Sequence, residues 1–369
     1  MTAVLTAAPG THTLSAAAPQ THPQSAPQPT APQTAPQTVP AVPAVATVTM
    51  AQALNRALRD ALAADDSVLL FGEDVGRLGG VFRVTDGITR DLGEERCFDT
   101  PLAEAGIVGV AIGMAMYGLR PVIEMQFDAF SFPAFEQVVS QLAKMRNRTA
   151  GRLPMPVVIR IPYGGGIGAV EHHSDSSEAY FAHTPGLHVV TPATVQDAYG
   201  LLRLAISSPD PVVFLEPKRL YWSKEQLDCS APVPPIGRAV VRRPGLDATL
   251  LAYGAGVATA MEAAAAAVVE GYDLEVVDLR SLVPFDDETV CASVRRTGRA
   301  VVVHEASGFA GVGAEIAARV TERCFHHLQA PVRRVTGLDI PYPAPKLEQL
   351  HLPSPGRVLA AVRDLGWEY

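Results

Sequence analysis

Five stretches, SVLLFGEDV, RPVIEMQF, MPVVIRIP, LHVVTP and PVVFLEP, are short and nearly all apolar, with no alternation of polar and apolar residues. A strand of that kind must be covered on both faces. Between them lie segments with helical spacing, among them AGIVGVAIGMAMYG and FEQVVSQLAKMR, and MAQALNRALRDALAADD precedes the first. Strands and helices in alternation predict an α/β fold, a parallel sheet with helices on both sides. In such sheets ligands bind in crevices at the carboxyl ends of the strands, so polar residues at strand ends are the first candidates for function.

The pattern breaks at SKEQLDCSAPVPPIGRAVVRRPG, which is poor in apolar runs and rich in proline, and reads as a connection. A second alternation follows. DATLLAYGAG leads into an Ala-rich helix, then come DLEVVDLRSL, a helix from FDDETV, RAVVVHEAS, a helix through ARVTERCFHHL, PVRRVTG and a closing helix. Two domains are expected, residues 48–230 and a smaller α/β domain at 231–369. Ahead of them, the first 48 residues hold no Lys, Arg, Asp or Glu and repeat Ala, Pro, Gln and Thr without period. A disordered extension over residues 1–47 is expected, since such a composition buries too little to order itself. It lacks the arginines of a mitochondrial presequence and the charged start of a secretory signal.

With a net charge of -8 and scattered basic residues, the chain offers no electrostatic footprint for nucleic acid or an anionic membrane. No apolar run is long enough to span a bilayer. Cys97, Cys229, Cys291 and Cys324 lie far apart without a C-x-x-C pair, which argues against a disulfide framework or a zinc knuckle and fits a reducing cytoplasm.

Glu104 stands out in DTPLAEAGIVGVAIGMAMYGL. Thr100 is the expected N-cap with Pro101 at the first helical position, which puts a capping-box acid at residue 103. Glu104 misses that place by one. Helical spacing sets it on a face with Ile107, Val108 and Ala111, so its carboxyl is expected inside, paired or raised in pKa. The bland alternative is a first-turn acid favoured by the helix dipole. Gly106, Gly109 and Gly113 further predict a close approach to this helix.

After the strand MPVVIRIP comes YGGGIGAVEHHSDSSEAYFAH, whose glycines would bring backbone near a ligand or let the loop move as a lid. Of its histidines, His172 and His173 are adjacent and His183 follows ten residues after His173. Neighbouring residues rarely ligate one metal, and no H-E-x-x-H accompanies them. One working histidine, as proton donor or charge partner, is the sharper reading beside that of solvated loop histidines. A metal-dependent hydrolase built on this loop remains the rival. YGAG lacks the third glycine of a dinucleotide fingerprint and reads as a tight turn. Lys144, Arg146, Arg148 and Arg152 form a basic helix end, read as a solvated face or subunit contact. His304 and Glu305, at a strand end, are either a docking point or a domain-contact pair.

The blocks LLFGEDVGRLGGVFRVTDG, DTPLAEAGIVGVAIGMAMYGLRPVIEMQFDAF, HHSDSSEAYFAHTPGLHVV, VVFLEPKRLYW, VVDLRSLVPFD and VVVHEA occur in one order along Val48 to Tyr369. In that order they resemble the beta subunit of the thiamin-diphosphate-dependent, decarboxylating component of 2-oxo acid dehydrogenase complexes. EMQFDAFSFPAFEQ and EPKRLY are more similar to the branched-chain (3-methyl-2-oxobutanoate) enzyme than to the pyruvate or acetoin enzymes. The resemblance implies a pyrimidine-binding domain followed by a transketolase C-terminal-like domain. Glu104 then matches the glutamate that hydrogen-bonds the aminopyrimidine of thiamin diphosphate. Phe130 matches an aromatic packed on that ring, often Tyr in this branch, and Gln126 belongs to the same cofactor region. His173 matches the histidine of the family's H-S motif, beside the thiazolium and the incoming lipoyl group, whereas His172 stands where another residue is usual.

Such enzymes hold the diphosphate through magnesium bound by a G-D-G motif with a later Asn, and no such motif occurs in this chain. The resemblance therefore implies an alpha subunit that supplies the magnesium side in an αβ heterotetramer. It also implies a lipoyl-bearing acyltransferase core as partner and a 2-oxo acid as substrate. A potassium site in the family draws on a Cys, an Asp and an Asn. Ala205, Ser208 and Asp210 occupy those places here.

Overall fold

The computed structural model describes residues 45–366. Most of the uncharged extension lies outside the described residues. Its last three residues do not: Val45–Thr49 is a strand, β1, paired antiparallel with β8 (Lys224–Asp228). The extension thus ends earlier than its composition implies, because β8 supplies backbone partners that no local pattern announces. Thr49 also caps the helix Met50–Ala64 reciprocally with Gln52. That helix buries Met50, Leu54, Leu58 and Leu62 along one stripe.

The strands expected from the apolar runs are present. They are β2 (Val68–Gly72), β4 (Arg120–Glu124), β5 (Val158–Tyr163), β6 (His188–Val190) and β7 (Val212–Pro217), and a short strand that none of those runs contains, β3 (Cys97–Asp99), joins them. The second part adds β9 (Val240–Arg243), β10 (Ala248–Ala252), β11 (Leu274–Asp278), β12 (Ser281–Val283), β13 (Ala300–Ser307) and β14 (Arg333–Gly337). One sheet has the order β12-β6-β7-β5-β4-β2-β3 and the other β14-β13-β10-β11-β9. Both are parallel except at one edge, where β12 and β9 run antiparallel. β12 comes from the second half of the chain yet pairs with β6, stitching that half into the first sheet.

One feature of the first sheet is absent from the apolar-run reading. Arg160, fully buried on β5, donates from Nε and Nη2 to Glu216 on β7 at 2.7 and 3.0 Å, and from Nη1 to Glu124 on β4 at 2.6 Å. Tyr221 donates its hydroxyl to Glu216 at 2.6 Å. Three adjacent strands are thereby tied together just beneath their carboxyl ends, where Met125 donates its N–H to the Arg160 carbonyl at 2.9 Å. Among the described residues no helix is long and apolar enough to cross a membrane.

Candidate active site

Register brings three strand ends level, with β5 running three residues further to Tyr163. Gly72 on β2 lies opposite Asp99 on β3 and Glu124 on β4, and Glu124 lies opposite Arg160 on β5. The residues that follow these positions, Glu73 and Asp74, Thr100 to Glu104, and Met125 to Phe130, therefore share one edge. The histidine loop leaves the same edge after β5.

The helix expected from Thr100 starts later, at Glu104, with Ala103 as N-cap and no side-chain cap. Pro101 favours an extended Thr100, whose N–H continues the sheet by donating to the Gly72 carbonyl at 2.9 Å. Glu104 is thus both a first-turn acid and a buried one, 8% exposed, and Ile107, Val108 and Ala111 are buried on its face as the spacing predicts. Next to it stands Glu73, which sequence reasoning missed. Burial, then the Glu104 charge, push the Glu73 carboxyl above its ordinary value, and its buried Oε1 has no partner. No close approach to Gly106, Gly109 or Gly113 is found among the described residues. Those glycines lie on a face with the exposed side chains of Val110, Met116 and Tyr117, so the expected contact is not made within this chain.

Gln126 donates to Asp74 at 2.8 Å, joining the ends of β4 and β2. Beyond it, Phe127, Phe130 and His173 form an edge-to-face cluster. The His173 ring lies 4.2 Å from Phe127 and 5.6 Å from Phe130, centroid to centroid, and the two phenylalanines are 5.8 Å apart. His172 and His183 are exposed. The three histidines are therefore separated by environment: His173 alone is half-buried against aromatic rings.

The glycine loop is not open for a ligand along its whole length. Gly165 donates its N–H to Glu305, and Gly166 and Gly168 donate to Glu348 at 2.8 and 3.3 Å. Both carboxylates come from the second half of the chain. A side chain at Gly165 would collide with Tyr342, whose hydroxyl also donates to Glu348 at 2.8 Å. Glu305 thus serves as a contact between the two halves. His304 beside it is buried, stacked on Tyr253, with both ring nitrogens unpartnered, and burial lowers its pKa to about 4.

A buried polar layer under the histidine loop also escaped the sequence pattern. Asp128 accepts from the Ser177 N–H at 2.9 Å and from the Ser177 hydroxyl. Lys218, equally buried, donates to the Pro162 carbonyl at 3.3 Å and lies 6.0 Å from the Phe127 ring centroid. Burial pushes the Asp128 carboxyl up and the Lys218 ammonium down, and the opposite charge of each holds the other back. Tyr253 donates its hydroxyl to Glu178 at 2.8 Å.

Ala205, Ser208 and Asp210 sit at the end of the helix Val195–Ser207 and in the turn after it. The Ala205 carbonyl accepts from the Ser208 N–H at 3.1 Å, the Ser208 carbonyl from Arg120 at 3.3 Å and the Asp210 carbonyl from the Ser208 hydroxyl at 3.1 Å. Arg146 pairs with the Asp210 carboxylate. Each of these carbonyls accepts one hydrogen bond, and two guanidinium groups, from Arg120 and Arg146, lie against the loop. Among the described residues there is no group of three or more His, Cys, Asp or Glu side chains that could hold a metal.

Residues 46–223 match the transketolase pyrimidine-binding domain family and residues 237–358 the transketolase C-terminal domain family. The chain is 57% identical over 317 residues to the beta subunit of 3-methyl-2-oxobutanoate dehydrogenase from Mycobacterium tuberculosis, covering 86% of this chain and 91% of that one. It is 54% identical over 320 residues to the beta subunit of the pyruvate dehydrogenase E1 component from Leifsonia xyli, covering 87% and 95%. The 2-oxoisovalerate dehydrogenase beta subunit of Pseudomonas aeruginosa is 46% identical, over 86% and 95%. A solved split-gene transketolase, an inactive beta4 tetramer, shares the fold with a TM-score of 0.72 at 24% identity, over 87% of this chain and 98% of that one. With both domains in order and identity above one half, the chain belongs to the family of 2-oxo acid dehydrogenase beta subunits.

Proposed function

We propose that this chain, with an alpha subunit in an αβ heterotetramer, oxidatively decarboxylates branched-chain 2-oxo acids and acylates the lipoyl group of an acyltransferase core. The observation that carries the reading is one strand edge holding a buried carboxyl pair, Glu104 and Glu73, together with the Phe130–His173 aromatic cluster. The side chains fit half of thiamin diphosphate. An aminopyrimidine needs a carboxyl beside its ring nitrogen, acceptors for its amine and a flat apolar neighbour. Glu104, the unpartnered Oε1 of Glu73 and Phe130 are groups of those types. The diphosphate and its magnesium are assigned to the alpha subunit.

When bound, the cofactor supplies the electron sink for decarboxylation. Glu104 would hold or give a proton at its carboxyl beside the pyrimidine ring, Phe130 would orient that ring, and Gln126, bonded to Asp74, braces the strand ends around it. His173, held edge-on by Phe127 and Phe130, holds or gives a proton as the acyl group passes to the lipoyl sulfur. The branched-chain assignment is supported by the EPKRLY segment and by the 57% identical relative. The decisive experiment is co-expression with the alpha chain and comparison of kcat/KM for pyruvate and the three branched-chain 2-oxo acids. Preference for a branched-chain acid is expected; preference for pyruvate would replace the substrate assignment and leave the reaction type standing.

A further inference from the structure

We infer that Asp128 is a positioning residue for lipoyl acylation, acting through Ser177 and Phe127 to fix the place of His173; the inference rests on the role proposed for His173. Asp128 belongs to the turn Asp128–Ala134 that carries Phe130, and the Ser131 hydroxyl closes that turn by donating to the Asp128 carbonyl at 2.6 Å. Its carboxylate, 0% exposed, reaches across to a different segment and accepts both the N–H and the hydroxyl of Ser177. Ser177 lies four residues after His173, where the loop enters the helix Glu178–Ala182. One side chain therefore locks the turn bearing Phe130 to the loop bearing His173.

Lys218 completes the arrangement from the end of β7. It is buried, which pushes its ammonium down, while the charges of Asp128, Glu305 and Asp175 hold it back, and it faces the ring of Phe127. Phe127, held by this cation, meets the His173 ring at 4.2 Å and 83°. His173 is thus held from two sides: along the chain by Ser177 on Asp128, and through space by Phe127 on Lys218. Its ring sits on a loop, and a loop holds a proton-transfer group in place only when such contacts remove its freedom.

The test uses the assembled heterotetramer and two rates, acylation of a lipoyl domain and decarboxylation into an artificial electron acceptor. Asp128→Asn and Ser177→Ala are each expected to lower the ratio of acylation to decarboxylation by about tenfold, the scale of a misplaced proton-transfer group. In a His173→Ala background the same substitutions should change that ratio by less than about twofold, since a residue acting through His173 has nothing left to position. A purely structural role predicts equal losses in both backgrounds and would overturn the inference. If Asp128→Asn does not assemble, Ser177→Ala carries the test. His173→Ala with an unchanged ratio removes the role assigned to His173. A low ratio for His173→Ala with normal ratios for Asp128→Asn and Ser177→Ala removes only the positioning role.

Discussion

Glu73, just after β2, and Glu104, the first residue of the helix Glu104–Met116, are both buried at the same edge, where the charge of Glu104 adds to burial in raising the Glu73 carboxyl. A carboxyl buried beside a like charge favours its neutral form, and that direction applies to Glu73. Glu104→Gln is expected to lower turnover by roughly a hundredfold or more, the usual worth of a positioned acid-base group, with assembly intact by size-exclusion chromatography. Glu73→Gln should lower it less, because the amide keeps an acceptor oxygen in place of the unpartnered Glu73 Oε1. Near-normal turnover of the Glu104 variant would remove this carboxyl from the chemistry.

The aromatic setting of His173 sets it apart from its exposed neighbour. His173→Ala should depress lipoyl acylation about a hundredfold, and His172→Ala less than about twofold, since a solvated side chain lacks a fixed direction for proton transfer. Single-turnover acylation of a lipoyl domain reads both. Equal losses from the two variants would contradict the distinction.

The sheet was legible because parallel strands covered on both faces leave continuous apolar runs, and Glu104 was legible because helical spacing set it among Ile107, Val108 and Ala111. What stayed hidden depends on contacts distant in sequence. Arg160 meets Glu124 and Glu216 at separations of 36 and 56 residues, and Gly166 meets Glu348 at 182. Thr100 carries the local pattern of an N-cap, yet its N–H is taken by Gly72 of the neighbouring strand. Likewise nothing local distinguishes His172 from His173; the rings of Phe127 and Phe130, brought from the end of β4, do so. Periodicity reports burial, while partnership is decided by topology.

Glu178 predicts a pH dependence of stability. Burial pushes its carboxyl from 4.5 to about 7, with the Asp128 and Glu305 charges adding and hydrogen bonds, among them that from Tyr253, holding it back. Between those values the folded protein keeps a proton that the unfolded chain has lost. The unfolded state then binds fewer protons, so this group's contribution falls as pH rises through the window. Glu178→Gln is neutral in both states. The stability of the variant relative to the wild type should therefore increase by on the order of 3 kcal/mol between about pH 4.5 and 7.5. Urea unfolding at the two ends of that range measures it, and a constant difference would show that Glu178 titrates normally.

The Arg160 cluster makes a different demand. Its three charges are buried at the middle of the sheet, where two carboxylates converge on one guanidinium and the Tyr221 hydroxyl satisfies Glu216 further. Arg160→Met leaves Glu124 and Glu216 without their cation, and removing one partner of a buried pair costs about 3–5 kcal/mol. Adding Glu124→Leu, Glu216→Leu and Tyr221→Phe removes the stranded groups together. That combined variant should recover most of the loss, because a buried ion pair nets little against apolar packing of similar volume. Denaturant midpoints of the two variants decide the point: a combined variant no more stable than Arg160→Met alone would mean that the cluster specifies strand packing through its shape and hydrogen bonds rather than merely balancing its own charge.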